Sequence, residues 1–243
     1  YVTPQIDEDG NLQANPIPEA LADMAFSGKP LYAEKSITLS GKPGERISGT
    51  PFAFDRIPVP HHNEFGSLMF LSGQDFFSNG DAAVCTMMGD VWRVSGLDES
   101  LEKVTWTRIA TGLSQALGLA IFEDKIYVTC RDRIARLHDK NGDGEIDFYE
   151  NFCDAFEVST GGHDFSVSLQ RDENGYFYFV SAKEGVVRIS PDGKTAESMA
   201  TGLRNSNGLG VNPNGTEVVV STNQGDWAPA SAVFEVRQGD FYG

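Results

Sequence analysis

The residues Ala-Thr-Gly-Leu at positions 110–113, followed by Leu-Gly-Leu at 117–119, return 90 residues later as Ala-Thr-Gly-Leu at 200–203 and Asn-Gly-Leu at 207–209. A phrase that recurs at a fixed offset is the sequence sign of a repeated structural unit. Short runs of β-branched and aromatic residues, separated by turn residues, follow each copy. This pattern is typical of β-hairpins, so the repeat predicts repeated β units.

Four such units can be aligned by their second strands, each of which ends in a small residue. These residues are Cys85, Thr129, Ser181 and Ser221. After a hairpin, a third strand reads Val-Trp-Arg-Val, Ile-Ala-Arg-Leu, Val-Val-Arg-Ile or Val-Phe-Glu-Val. An offset of 90 residues therefore spans two units of about 45 residues, the size of a four-stranded propeller blade. The fold prediction is an all-β β-propeller, with a β-sandwich as the alternative.

The predicted blades do not complete a ring. Their expected bounds are about 66–103, 104–153, 154–194 and 195–239, and residues 35–39 and 52–54 are extended enough to supply strands of another blade. A six-bladed ring of ordinary blades needs roughly 270 residues. We therefore expect residues 31–243 to be a propeller domain that is incomplete at its C-terminal end. Residues 1–30 are expected to form a Pro-rich linker with a short helix at 18–26.

The composition excludes several classes of partner. The 243 residues include 35 Asp and Glu against 19 Lys and Arg, a formal net charge of −16. Binding to nucleic acid or to an anionic membrane needs clustered positive charge, so neither partner is expected. The sequence has no apolar run long enough to span a bilayer and no visible signal peptide.

Residues 139–150 match the twelve-residue calcium-binding loop at each diagnostic position. Ca²⁺ binds six to eight oxygen ligands, and the loop needs glycine at its sixth position, which is Gly144 here. The predicted ligands are Asp139, Asn141, Asp143, the carbonyl of Glu145, Asp147 and Glu150. Because a strand-like run precedes the loop, we expect a structural ion that fixes a loop between blades. The alternative is a solvated acidic turn.

His163 is the candidate catalytic residue. It lies in Thr-Gly-Gly-His-Asp at 160–164, where the innermost strand of its blade is predicted to begin. In a propeller this end of the strand lines one mouth of the central channel. A histidine there can act as a general base, because the pKa of free imidazole is near neutrality. The alternative is a histidine that hydrogen-bonds between blades.

Polar residues occupy the equivalent positions of the other blades. Arg204 and Asn207 are the candidates for binding an anionic or polyhydroxyl ligand, and Ser114 with Gln115 stands at the matching place one repeat earlier. The run His61-His62 precedes the first blade and is interpreted as a polar loop or, less simply, as part of a metal cluster. The sequence contains no motif of a zinc hydrolase, serine hydrolase or nucleotide-binding protein.

The tryptophans and cysteines are interpreted mainly as packing residues. Trp92 and Trp106 are expected to fill the blades, and Trp227 either does the same or offers a platform for a sugar ring. Cys85 and Cys130 are expected near equivalent ends of neighbouring blades, either as a disulfide or as buried thiols. The odd number of cysteines leaves at least one unpaired thiol.

The sequence resembles a group of exported bacterial propeller proteins described as membrane-bound dehydrogenases, distant relatives of the soluble quinoprotein glucose and sorbosone dehydrogenases. The resemblance covers roughly residues 60–243. Besides His163 and the loop at 139–150, it rests on Ala-Val-Cys-Thr at 83–86, Gly-Asp-Val-Trp at 89–92 and the final Gly-Asp-Phe-Tyr-Gly at 239–243.

The resemblance implies a six-bladed ring that holds pyrroloquinoline quinone (PQQ) in its central mouth. His163 would then abstract the hydroxyl proton of a sugar or alcohol while hydride passes to the quinone. It also implies a periplasmic or secreted bacterial protein with further domains, sometimes of cytochrome c type, in the same chain. The cofactor contacts of that group come largely from later blades and cannot be transferred to this sequence.

Three functions remain open at this stage. The first is a PQQ-dependent sugar or alcohol dehydrogenase. The second is a non-catalytic propeller that binds carbohydrate or a protein partner within a larger exported protein. The third is a lactonase-type metal hydrolase, which is the least supported, since Gln115, His163 and Asn207 offer no acidic metal ligand.

Overall fold

The computed structural model describes residues 5–6, 12–13, 28–45, 47–224 and 230–243. Over these ranges the regular structure is β, apart from a single 3-10 turn at Ala33–Lys35, and α-helix is absent. No helix in the described part of the chain is long and apolar enough to cross a membrane. The two short strands Gln5–Ile6 and Leu12–Gln13 pair with each other. The helix expected at 18–26 lies outside the described residues.

Four antiparallel sheets follow one another along the chain, and we number them blades 1 to 4. Blade 1 comprises Leu71–Phe76, Ala82–Thr86, Val91–Ser95 and Val104–Ala110, and blade 2 comprises Gly118–Phe122, Lys125–Thr129, Ile134–His138 and Phe148–Cys153. Blade 3 comprises Ser166–Arg171, Phe177–Ser181, Gly185–Ile189 and Ala196–Thr201, and the described strands of blade 4 are Gly208–Val211, Val218–Ser221 and Val233–Glu235. Within each blade the strands pair in sequence order, so the predicted β-propeller arrangement is confirmed with four blades.

The first strand of each blade is its innermost strand. Neighbouring first strands contact one another, and glycines allow the closest approaches. A Cβ atom on Gly73 would come within 2.5 Å of the backbone of Leu119, and one on Gly118 within 2.2 Å of the backbone of Ser168. The small residues are therefore required by the packing of blade 1 on blade 2 and of blade 2 on blade 3.

The hydrophobic core lies between the blades. Cys85, Ile109 and Val128 belong to the cluster between blades 1 and 2, and Tyr127 and Phe177 belong to the cluster between blades 2 and 3. Because a middle strand contacts a neighbour on each face, all five residues of the second strand are buried in blades 1 and 3. This explains why these strands are continuous apolar runs rather than alternating ones.

Two of the predicted packing residues are part of this core. Trp92 and Trp106 are 0% and 2% exposed, which confirms their expected role in blade packing. Trp227 lies outside the described residues. The cysteines Cys85, Cys130 and Cys153 are all buried and all free, so the alternative of buried thiols is the observed one.

The predicted blade boundaries are wrong by one strand. Val104–Ala110 is the outermost strand of blade 1 rather than the start of blade 2, and Ala196–Thr201 belongs to blade 3 rather than blade 4. The reason is that the repeated phrase begins at the end of an outermost strand, so the sequence period alone does not show where one blade stops. One further strand extends the sheet of blade 3, since Asp240–Phe241 pairs in parallel with Ala196–Thr201.

The N-terminal segment adds to blade 1 instead of forming another blade. Ile37–Leu39 pairs with Val104–Ala110, whereas residues 52–54 form no strand. The Arg108 guanidinium stacks 3.6 Å from the ring centroid of Phe65 and 4.3 Å from that of Tyr32. These cation–π contacts fix the segment to the outer face of blade 1.

Candidate functional site

All innermost strands begin at the same end of the propeller, which we call the upper mouth. The loops that precede them, 57–70, 111–117, 154–165 and 202–207, therefore gather at this end. The hairpins between second and third strands reach it too, because the strands alternate in direction. The candidate residues His163, Arg204 and Asn207 all lie on these loops. Their catalytic or binding roles stay predictions.

Arg131 connects two blades at the upper mouth. Its Nη1 donates to Oε1 of Gln115 at 3.1 Å, and its Nη2 donates to the carbonyls of Ser159 and Gly161 at 3.0 Å each. Arginine suits this position, since its planar guanidinium can donate several hydrogen bonds at once. The sequence reading missed Arg131. Arg131 comes just after the second strand of blade 2, which ends at Thr129, and this position could have indicated that it lies at the upper mouth.

His163 lies on the loop that enters blade 3, two residues after Gly161, whose carbonyl accepts a hydrogen bond from Arg131. A turn from Gly161 to Asp164 carries it, closed by the Asp164 amide donating to the Gly161 carbonyl at 3.3 Å. The imidazole is exposed, and no described residue is its hydrogen-bond or ion-pair partner. The alternative of a histidine that bonds between blades is therefore not what the structure shows. The anchored loop leaves the ring accessible to a ligand.

The two glycines before His163 have different surroundings. A Cβ atom on Gly161 would lie 2.3 Å from the carboxylate of Asp164, whereas nothing lies within 4 Å of one on Gly162. A side chain on Gly161 would therefore displace the Asp164 carboxylate, which accepts a short hydrogen bond from the Ser159 hydroxyl. Only the second glycine faces open space, as expected for the approach of a ligand.

Arg204 and Asn207 lie on the loop that enters blade 4. Both side chains are exposed, and Nη1 of Arg204 donates to the carbonyl of Gln224 at 2.5 Å. The carbonyl of Asn207 accepts a hydrogen bond from the Ser168 hydroxyl at 3.0 Å, which ties this loop to blade 3. A small cavity of about 20 Å³ lies between the two loops and is lined by Phe165, Asn205 and Asn207, among others.

The histidine pair before blade 1 does not form a metal cluster. His61 and His62 are exposed. The neighbouring Asn63 is committed to its own loop, donating to the carbonyls of Pro60 and Ser67 at 3.1 and 2.9 Å. Throughout the described residues there is no group of three or more His, Cys, Asp or Glu side chains placed to hold a metal. The polar-loop interpretation describes this segment.

The acidic loop at 139–147 joins the last two strands of blade 2. The Asp139 carboxylate accepts hydrogen bonds from the amides of Gly142 and Gly144 at 2.7 and 2.9 Å, and the Asp147 carboxylate accepts one from the backbone amide of Lys140 at 2.8 Å. Oxygen donors of this kind suit Ca²⁺. In this structure, however, they bind the loop's own backbone and are not gathered around a common point. Calcium binding therefore stays a prediction.

Two of the predicted calcium ligands have partners outside the loop. The Glu145 carboxylate accepts from the amides of Leu31 and Tyr32 at 2.6 and 3.0 Å, which ties the N-terminal segment to blade 2. Glu150 lies on the strand Phe148–Cys153, and its Oε2 is 2.6 Å from both Nε of Arg136 and Nε2 of His138. Burial acts to raise the pKa of Glu150, but the hydrogen bonds from His138 and Arg136 outweigh it and lower the pKa.

The cysteines have no sign of nucleophilic activation. Burial raises the pKa of Cys85 to about 11 and that of Cys130 to about 12. Since the thiolate is the reactive form, both thiols stay protonated at neutral pH and serve as core residues.

No protein-family description matches the sequence, and no curated protein matches it. Solved structures do match. A Thermus thermophilus protein described as an oxidoreductase (glucose dehydrogenase) superposes with a TM-score of 0.56 at 18% identity, covering 72% of this chain and 64% of its own. The PQQ domain of a pyranose dehydrogenase from Coprinopsis cinerea gives 0.54 at 11% identity, covering 81% and 49%.

A gluconolactonase from Xanthomonas campestris also matches, with a TM-score of 0.51 at 18% identity, covering 70% of this chain and 60% of its own. The chain thus spans between about half and two thirds of the length of these structural relatives. At these identities the likeness shows the fold alone, and that fold is the β-propeller. It is shared by PQQ-dependent and lactonase-type propellers, so the residues at the upper mouth must decide between functions.

Proposed function

We propose that the upper mouth is the active site of a PQQ-dependent sugar or alcohol dehydrogenase. The observation that carries the proposal is His163, an accessible imidazole on a loop that Arg131 anchors to the neighbouring blade. A general base must be held in place while its ring remains free to meet the substrate hydroxyl. His163 would accept the hydroxyl proton as the C–H bond loses hydride and the alcohol becomes a carbonyl.

The side chains of the blade 4 loop fit the cofactor's chemistry. PQQ supplies a two-electron acceptor for the hydride and carries several carboxylate and carbonyl oxygens. Arg204 and Asn207 are exposed N–H donors at the same mouth, and a guanidinium is well suited to carboxylates. We propose that these two residues hold the cofactor next to His163. The structural likeness to a PQQ domain supports this at the level of the fold.

Calcium binding by the loop at 139–150 is part of the same proposal, in a structural role. The loop connects blade 2 to the N-terminal segment through Glu145 and to blade 1 through the Ile146 amide, which donates to the Ile109 carbonyl at 2.9 Å. An ion bound by Asp139, Asn141, Asp143 and Asp147 would order this junction. The periplasmic or secreted location suggested by the resemblance also remains a proposal.

The lactonase-type alternative has less support at this mouth. Such an enzyme would need several metal ligands contributed by different blades. The described residues offer no cluster of three carboxylate, His or Cys side chains there. A non-catalytic carbohydrate-binding propeller remains the stronger alternative, because it needs only the exposed polar side chains.

Dye reduction in the presence of PQQ, Ca²⁺ and a panel of sugars and alcohols tests the proposal. Wild-type protein should turn over, and His163→Ala should lose about a hundredfold or more of the rate, the usual cost of removing a general base. Quinone binding, followed by fluorescence quenching, should persist in that variant. Wild-type protein that binds no quinone and shows no turnover would leave the binding propeller as the better account.

A further inference from the structure

A groove of about 580 Å³ runs outward from the upper mouth between blade 1 and blade 2. It is lined by the loop 111–114 and by residues of blade 2, and the lining includes Leu113, Ser114, Arg131, Arg133, Tyr149 and Asn151. The volume falls in the usual range for sites that bind small molecules. Polar and apolar side chains both line the groove.

The strand register places two of these side chains in the groove. Tyr149 pairs with Leu137 and Asn151 pairs with Ala135 across the two outer strands of blade 2. Leu137 and Ala135 belong to the core shared with blade 1, and paired residues project from the same face of a sheet. Tyr149 and Asn151 therefore face blade 1, and the loop 111–114 forms the opposite wall.

The Tyr149 ring is held as a fixed platform. Its hydroxyl donates to the Thr111 carbonyl at 3.0 Å and accepts from the Thr111 amide at 3.1 Å. The side chain is nevertheless exposed. An aromatic ring that is anchored at one end and open on its face can stack on the apolar face of a sugar at little entropic cost.

The charges around the groove favour a neutral ligand. The formal charges of the four charged residues that line the groove, Arg131, Asp132, Arg133 and Glu150, cancel, and Arg133 pairs with Asp132 at 2.6 Å. The exposed Ser114 and Asn151 offer hydroxyl and amide groups, which match the vicinal hydroxyls of a carbohydrate.

The groove is continuous with the candidate active site. Arg131 lines it and also holds the carbonyls of Ser159 and Gly161, on the loop that carries His163. We infer that the groove binds the inner units of an oligosaccharide whose terminal unit lies at the upper mouth. The position of that terminal unit rests on the proposed function, whereas binding in the groove does not.

Calorimetric titration without quinone tests the inference. Glucose is compared with the trisaccharides maltotriose, cellotriose and laminaritriose, which differ in linkage. At least one trisaccharide should bind the wild type more tightly than glucose. Tyr149→Ala should weaken that trisaccharide about tenfold, as expected for a lost stacking contact. Phe148→Ala is the matched control, because it removes an exposed ring from the opposite face of the same strand.

The outcomes separate the inference from the proposed function. A trisaccharide that binds no tighter than glucose, or whose affinity is unchanged in a folded Tyr149→Ala protein, would overturn the inference. Trisaccharide binding that depends on Tyr149, in a protein without quinone-dependent turnover, would support the groove and contradict the dehydrogenase. Equal losses in Tyr149→Ala and Phe148→Ala would indicate a general disturbance of the strand and would also count against the groove.

Discussion

The two copies of the repeated phrase fold into the same turn but present different side chains. Gln115 and its counterpart Asn205 both have positive φ, +52° and +40°. The next residues, Ala116 and Ser206, are 0% and 2% exposed. The residues on either side of these pairs differ, since Ser114 and Leu117 of the first copy correspond to Arg204 and Asn207 of the second.

The comparison separates structural residues from functional ones. Positions that have the same backbone conformation and burial in both copies set the turn. They must do so because a propeller blade enters its innermost strand in one particular way. Positions that differ are free to carry chemistry at the upper mouth. Substitutions at the two kinds of position should therefore have different effects.

In both copies a glycine begins the innermost strand that follows the turn. Substitution of this glycine by alanine should have a different effect in each copy. A Cβ atom on Gly118 would meet the Ser168 backbone at 2.2 Å, whereas one on Gly208 would meet the Ser221 hydroxyl at 2.3 Å. Backbone cannot move aside as a hydroxyl can, so Gly118→Ala should lower the free energy of unfolding by about 3 kcal/mol and Gly208→Ala by about 1 kcal/mol. Urea denaturation measures both. Equal losses would contradict the packing described for blades 2 and 3.

At the buried position of the turn, alanine should give a higher free energy of unfolding than serine in both copies. The Ser206 hydroxyl is buried without a hydrogen-bond partner among the described residues, and Ala116 holds the equivalent place. Ala116→Ser should therefore cost about 2 kcal/mol of unfolding free energy, while Ser206→Ala should raise it by up to about 1 kcal/mol. Thermal unfolding of the two variants beside wild type checks this. Destabilisation by Ser206→Ala would mean that the hydroxyl has a partner after all.

The outer hairpin of blade 2 should respond to calcium. If residues 139–150 bind the ion, Ca²⁺ at a hundred times its Kd should raise the free energy of unfolding by about 2.7 kcal/mol. Asp139→Ala should remove the gain, while Asp192→Ala, in the corresponding turn of blade 3, should leave it intact. The midpoint of thermal unfolding with and without Ca²⁺ is the measurement. No shift in the wild type would leave a solvated acidic turn.

The cross-strand Arg–Glu pair of blade 2 should give a small acid-dependent stability, and it should contribute more at neutral pH than the corresponding pair of blade 3. Arg136–Glu150 and Arg188–Glu197 occupy matching positions, and the carboxylates are 32% and 51% exposed. The pKa of Glu150 is lowered from its ordinary value of 4.5, so its contribution is present above that pH and is lost as the pH falls through the folded-state pKa. Glu150→Gln should cost less than about 1 kcal/mol at pH 7 and progressively less as the pH falls through the folded-state pKa of Glu150, with a smaller loss at pH 7 for Glu197→Gln.

Sequence reasoning recovered the fold better than the site. The repeat and its small strand-ending residues predicted the blades, because strand pairing and burial leave a periodic pattern. It placed Val104–Ala110 in the wrong blade, since the repeated phrase begins at the end of this strand and the sequence period alone does not show where a blade stops. It also missed Arg131 and Tyr149, whose importance depends on contacts with Gly161 and Thr111 that lie far away in the sequence.

The claim that function lies where the two copies differ is tested most directly by exchanging side chains between them. Two side chains of the first copy are placed at the corresponding positions of the second. The double variant Arg204→Ser/Asn207→Leu keeps the turn residues Asn205 and Ser206 and changes only the two residues on either side of them. We expect the circular dichroism spectrum and the thermal midpoint to stay close to wild type while PQQ binding, measured by fluorescence quenching, is lost. Unchanged quinone affinity in the folded double variant would contradict the claim that function lies where the two copies differ.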